Sequence, residues 1–128
     1  MSDFLTVAEI LAIHEDQLDR FGGAARVRDL GLLEAALFRP QTGYYPDVIA
    51  EGAALWESLS QNHSFVDGNK RTAFAAMFTH LAINGVALSA DAETTWAFLA
   101  PLYEAGEFRF EVLDDWLRRQ TGEMGSEG

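Results

Sequence analysis

The chain has 128 residues, 48% of them apolar, and carries 9 Lys and Arg against 20 Asp and Glu, for a formal charge of −11. That length suits one domain with its own core, and the acidity argues against a protein that grips a nucleic-acid backbone by displacing counterions. With no cysteine, no apolar run near the roughly 18 residues of a membrane span and no basic-then-apolar leader, disulfides, thiolate metal sites and membrane insertion drop out, and a cytoplasmic protein is expected.

Thr6 and Glu9 form a capping box that opens a first helix, with Leu5 and Ile10 as its staple. Val7, Ile10, Leu11, Leu18 and Phe21 keep helical spacing until Gly22-Gly23 ends the run. His14 on this helix reads as a packing or surface residue, not a ligand. Asp29 or Gly31 begins a second, short helix through Leu33 and Leu37, which must stop near Arg39 because Pro40 follows. The segment Pro40-Gln41-Thr42-Gly43-Tyr44-Tyr45-Pro46 reads as a loop or small hairpin. It is either a flap whose exposed backbone pairs with an extended peptide or a plain connector with its tyrosines against the core.

Asp47 caps a third helix whose face Val48, Gly52, Leu55, Trp56 and Leu59 brings Asn62 and His63 nearly into phase, so the histidine should point inward. A fourth helix, from about Gly68 to Asn84, is apolar or small on several sides and reads as the central one, with His80 structural and Gly85 ending it. Val86 to Ser89 is a brief extended connection before Asp91 caps a fifth helix carrying Trp96, Leu99, Leu102 and Tyr103, which Pro101 should kink or end. A last helix from about Phe110 buries Leu113, Trp116 and Leu117. The expectation is a single all-α domain over residues 1–121, with about six helices and a short flap or hairpin before the third. Residues 122–128 are polar and glycine-rich and read as a disordered tail.

The chemistry concentrates in Gln61 to Ala73, reading QNHSFVDGNKRTA. The free N–H groups and positive dipole of a helix N-terminus welcome an anion and disfavour cations. Lys70 and Arg71 in that turn therefore make sense with a phosphate between them. Phosphate transfer needs a base near the attacking hydroxyl, a cationic or metal clamp, and a backbone cradle. A histidine can act as that base, so His63 is the candidate; Asp67 can hold Mg²⁺ or merely cap the helix. Gly68 allows close approach, while Asn69, Lys70 and Arg71 can contact phosphate oxygens, and Phe65 is an apolar peg. The segment is not a Walker A loop, since Arg71 stands where Ser or Thr should follow the lysine, and His14-Glu15 does not complete an H-E-x-x-H zinc pattern.

His63-Ser64-Phe65-Val66-Asp67-Gly68-Asn69-Lys70-Arg71-Thr72 resembles the signature of the Fic/Doc superfamily, and its Lys-Arg-Thr ending resembles the Doc (death-on-curing) toxin branch. Phe21-Gly22-Gly23, Leu33 to Leu37 with Arg39-Pro40-Gln41, Tyr45-Pro46 and Leu81 to Leu88 are similar to Doc-like chains as well. The resemblance implies an all-helical Fic fold and ATP-dependent modification of a protein hydroxyl. Nucleotidyl-transferring members read H-P-F-x-D/E-G-N-G-R-x-x-R; here Ser64 replaces the proline, Lys70 the second glycine and Phe74 the last arginine, while Gly68 keeps that pattern.

Doc toxins with an Asn-Lys-Arg ending transfer the γ-phosphate of ATP to a threonine of elongation factor Tu and halt translation. The resemblance thus implies His63 as base, Asp67 as Mg²⁺ ligand, Asn69, Lys70 and Arg71 on phosphate, and the flap aligning the target. AMP or UMP transfer and a catalytically idle binding module remain alternatives. The inhibitory motif of many Fic proteins, Ser or Thr four places before Glu-Gly or Glu-Asn, is missing: Asp47 and Glu123 stand there. Restraint by a Phd-type antitoxin, whose tail folds into a groove, is the implied substitute.

Overall fold

The computed structural model describes residues 2–123. Among them run α1 (Val7–Phe21), α2 (Leu30–Phe38), a 3-10 turn (Arg39–Gln41), α3 (Val48–Gln61), α4 (Asn69–Ile83), β1 (Val86–Leu88), α5 (Ala92–Ala105), α6 (Phe110–Gln120) and β2 (Thr121–Glu123). This is the all-α bundle the spacing predicts. Local chemistry sets most of the starts. Thr6 and Glu9 satisfy each other's backbone N–H groups, and Asp29, Asp47 and Asp91 accept from Leu32, Ala50 and Thr94 at 3.1, 2.9 and 2.7 Å. Each such cap stabilises its helix by about 0.5–2 kcal/mol.

α3 and α4 pack along their lengths and form the centre. Ala53, Ala54, Ala73 and Ala76 lie fully buried there, and a Cβ on Gly52 would come 3.2 Å from Leu81, so small residues set how closely the two helices approach. Trp56 fills the middle, with Phe74, Phe108 and Trp116 around its ring at 5.7, 5.6 and 6.0 Å. Burying each large apolar side chain of this cluster stabilises the fold by about 1.5–3 kcal/mol before entropy is counted. α6 lies on α3 through Leu113, Trp116 and Leu117. α5 stands further off: it buries Thr95 and Leu99 and leans on ring stacks, Phe98 on Trp116 at 4.4 Å and Tyr103 on Phe108 at 4.9 Å.

Three local readings are narrowed or corrected. Pro101 lies inside α5 without ending it; the carbonyl it orphans, that of Ala97, is on an exposed residue where water can take the bond. The Pro40–Pro46 segment has no strand ladder: it is a 3-10 turn followed by bends, with Gly43 at φ +84°. Gly122 and Glu123, expected in a disordered tail, instead pair with Ala87 and Val86 in an antiparallel ladder. Backbone pairing requires no side-chain signature there, and Ser89 fixes the register by bonding the Gln120 carbonyl through both its N–H (2.7 Å) and its hydroxyl (2.8 Å). Residues 124–128 of that expected tail lie outside the described residues.

Candidate active site

The motif loop between α3 and α4 is braced from beneath and from one side. Beneath it, His14 of α1 is buried, stacks on Phe65 with centroids 3.7 Å apart, and donates from Nε2 to the Asp67 carbonyl at 2.8 Å. From the side, the α1–α2 connection lies antiparallel to the loop. Val27 bridges Phe65, the N–H groups of Arg28 and Asp29 reach the Ser64 carbonyl, and Val66 N–H reaches the Arg26 carbonyl. Within the loop, the Asn69 side chain accepts from Phe65 N–H at 3.1 Å and donates to Phe65 O at 2.9 Å, closing it like a staple. Phe65 is thereby the buried peg that the sequence suggests.

On this base stand the reactive groups. His63 leaves α3 with φ +53°, the one non-glycine among the described residues with positive φ, and its side of the chain is exposed. Asp67 does not cap α4. Gly68 occupies the N-cap position at φ +78° with no side-chain cap, and Asp67 Oδ2 accepts instead from Ala24 N–H at 2.8 Å. Its other oxygen, Oδ1, has no partner among the described residues. The first N–H groups of α4 are therefore left open to a ligand.

Lys70 lays its ammonium 4.2 Å above the Tyr103 ring, and Arg71 donates to the Gly22 carbonyl at 3.1 Å with its guanidinium 5.1 Å from the Phe21 ring. Neither pairs with a carboxylate among the described residues, whereas Arg20, Arg39, Arg109, Arg118 and Arg119 all do. Two uncompensated cations at the positive end of a helix repel one another and the dipole, so an anion placed there would be stabilised by both.

A cleft of about 680 Å³ brings His63, Asp67, Gly68, Asn69, Lys70 and Arg71 together. Its opposite wall, which sequence reasoning missed as part of a site, comes from α5: Trp96, Leu99, Ala100, Tyr103 and Glu104, with Phe74 of α4 between. Trp96, Leu99, Tyr103 do recur at helical spacing, but nothing in the sequence says that part of this face borders a cleft. Trp96, 63% exposed, is the residue that betrays it. The cleft pairs a charged end with an apolar wall, the usual build of a small-molecule pocket.

The flap residues are not brought into this cleft. Gln41 lines a separate groove of about 560 Å³ with Phe4, Leu37 and Phe38. Tyr45 Oη accepts from Arg39 Nε at 2.6 Å, Thr42 bonds the Arg39 carbonyl, and Tyr44 projects into solvent at 81% exposure. Arg39 in turn bonds Glu57 at 2.7 Å and Ser58 at 2.9 Å, so the flap is moored to α3 at its root.

Among the described residues no three or more His, Cys, Asp or Glu side chains converge on a metal-sized point. The single open oxygen of Asp67 suits a Mg²⁺ ion that arrives with a triphosphate. No described helix is long and apolar enough to cross a membrane.

An all-helical bundle with the motif loop leading into its central helix defines the class, and the chain belongs to the Fic/DOC family, whose model matches residues 4–81. Among named relatives it is 58% identical over 76 residues to Toxin Doc of Mycolicibacterium smegmatis, a match covering 56% of this chain and 58% of that protein's length. It is 30% identical over 118 residues to Protein kinase doc of Escherichia phage P1, covering 89% and 92% of the two chains.

Proposed function

We propose that this chain is a Doc-like toxin, a cytoplasmic kinase that moves the γ-phosphate of ATP to a hydroxyl, a threonine for preference, of a translation factor such as elongation factor Tu. A Phd-type antitoxin silences it. The observation that carries this reading is the convergence of an exposed histidine, a carboxylate with one oxygen open, and two unpaired cations at an uncapped helix N-terminus, all on one cleft. The names of the two relatives, one a toxin and one a protein kinase, support it.

In this reading the α5 wall takes the base, and the α4 amides with Lys70 and Arg71 take the phosphate oxygens. Asn69 contributes its backbone N–H, because its side chain already holds Phe65. Mg²⁺, bound as part of the nucleotide substrate, neutralises phosphate charge, and Asp67 Oδ1 is the atom that would hold it. The substrate hydroxyl oxygen bonds to the γ-phosphorus as the bond from that phosphorus to the ADP oxygen breaks, and His63 takes the hydroxyl proton.

AMP or UMP transfer is the second reading, favoured by Gly68, which stands at φ +78° and keeps the nucleotidyl-transferring pattern. Incubation with γ-labelled or α-labelled ATP and a translation extract separates the two. Protein label from the γ position alone is expected; label from the α position assigns nucleotidyl transfer. Unchanged growth arrest and unchanged labelling on His63→Ala would leave a binding module instead of an enzyme.

A further inference from the structure

His63 is held in a conformation that side chains with a Cβ rarely adopt, at φ +53°. Such a conformation persists where the surroundings over-determine it, and here one residue does much of that. The carbonyls of Asn62, His63 and Ser64, three in succession, each accept a hydrogen bond from Arg28. Nε donates to His63 O at 2.6 Å, the guanidinium NH2 group donates to Asn62 O at 3.3 Å, and the backbone N–H donates to Ser64 O at 2.7 Å. Asn62 adds a further tie, its side-chain amide donating to the Leu32 carbonyl at 3.3 Å.

Arg28 has no carboxylate partner among the described residues, and it is absent from the cleft wall. Its charge is thus committed to peptide oxygens flanking His63, bonds strengthened because the donor is ionised. Arginine suits this task because its planar fork spans neighbouring acceptors in a fixed geometry; a lysine would offer one mobile point charge. A histidine whose backbone is gripped on both sides has the direction of its Cα–Cβ bond fixed, which limits where the imidazole can reach. Geometry of that kind governs a proton transfer, since a misplacement of about 1 Å costs on the order of 100-fold in rate.

We propose that Arg28 is the positioning residue for His63: by clamping the carbonyls of residues 62–64 it fixes the left-handed turn that aims the imidazole into the cleft. The inference rests on reading His63 as the proton acceptor. The experiment compares wild type, Arg28→Ala, Arg28→Lys and His63→Ala on two readouts. The first is label incorporation into a translation extract from γ-labelled Mg·ATP, resolved into kcat and KM. The second is NMR of protein carrying isotope-labelled histidine, in which the backbone coupling and Cα shift of His63 report its φ directly.

Arg28→Ala is expected to move the His63 signals away from the left-handed values, to lower kcat about 10–100-fold, and to leave the KM for Mg·ATP within about twofold. Arg28→Lys should recover part of the rate and part of the signal shift. If Arg28→Ala leaves the His63 signals in place, or matches the wild-type rate while His63→Ala is inactive, Arg28 does not position the histidine. If His63→Ala itself still transfers label, the reading of His63 as the proton acceptor falls, and the NMR signals alone decide whether Arg28 sets the turn.

Discussion

Gly23 stands where a side chain has no room. A Cβ there would lie 2.9 Å from Leu18 Cδ2 and 3.0 Å from the Cβ of Asp67, and the residue's φ of +123° adds strain for anything but glycine. Gly106 is the useful contrast, at φ +67° with no atom within 4 Å. Gly106→Ala should therefore cost only the conformational term, about 1–2 kcal/mol. Gly23→Ala should cost a further ~1–3 kcal/mol from overpacking, and it alone should weaken Mg·ATP binding by pushing Asp67 off its Ala24 contact. Urea unfolding and calorimetric titration of the two variants check both halves. The polar candidates His63, Asp67, Lys70 and Arg71 were legible in the sequence because they crowd into nine positions before an apolar run. Gly23, Ala24 and Arg28 were not, since their role depends on a connection some 40 residues upstream folding back against the loop.

At the level of elements, Asp47 joins two helices. It caps α3 by accepting from Ala50 N–H, and both its oxygens accept from Arg118 of α6, at 2.8 and 3.0 Å. The Arg118 guanidinium foremost, and then the Ala50 N–H, hold its carboxyl below the ordinary aspartate value of 3.8 against the opposing pull of partial burial. A depressed carboxyl pKa gives stability that is present above the ordinary value and is lost as pH falls through the folded one. Because both side chains are about two-fifths exposed, at 45% and 40%, solvent screens the pair and its contribution is small. Asp47→Asn keeps the cap and removes the charge, so it should cost about 0.5–1 kcal/mol at neutral pH and low salt. The difference from wild type should shrink with added salt and vanish in acid, as urea melts across pH would register. Helix starts of this kind were readable because capping is local chemistry. Pro101 and β2 escaped because the sequence does not say which carbonyl faces water or which backbone will lie alongside.

For the molecule as a whole, the buried point of acid sensitivity lies between α3 and α4. His80 is 1% exposed, with Nε2 3.5 Å from Glu51 Oε1 and its ring stacked near Phe4. Burial pushes its pKa below 6.5, only partly offset by Glu51 and the Val48 backbone. A histidine kept neutral by the fold binds a proton more readily when unfolded. Stability should therefore fall as pH drops below 6.5, by up to about 1.4 kcal/mol per pH unit, until the folded value is passed. His80→Gln should flatten that limb between pH 7 and 5 when unfolding free energy is followed against pH. The sequence already marked His80 as structural from its alanine neighbours, but its partner on the adjoining helix was invisible without the packing.

The ring stacks that carry α5 have a consequence for how the cleft would behave. Thr95 and Leu99 are the buried residues of this wall, while Phe98, Leu102 and Tyr103 pack against the core half-buried, two of them through stacked rings. The charged floor is thus anchored in the α3–α4 pair, while the apolar wall is held to the α6 side largely by face-to-face rings. Lys70, its ammonium over the Tyr103 ring, is therefore the one cation of the floor that touches the wall, and Tyr103→Ala should free it and alter Mg·ATP affinity measured by calorimetric titration.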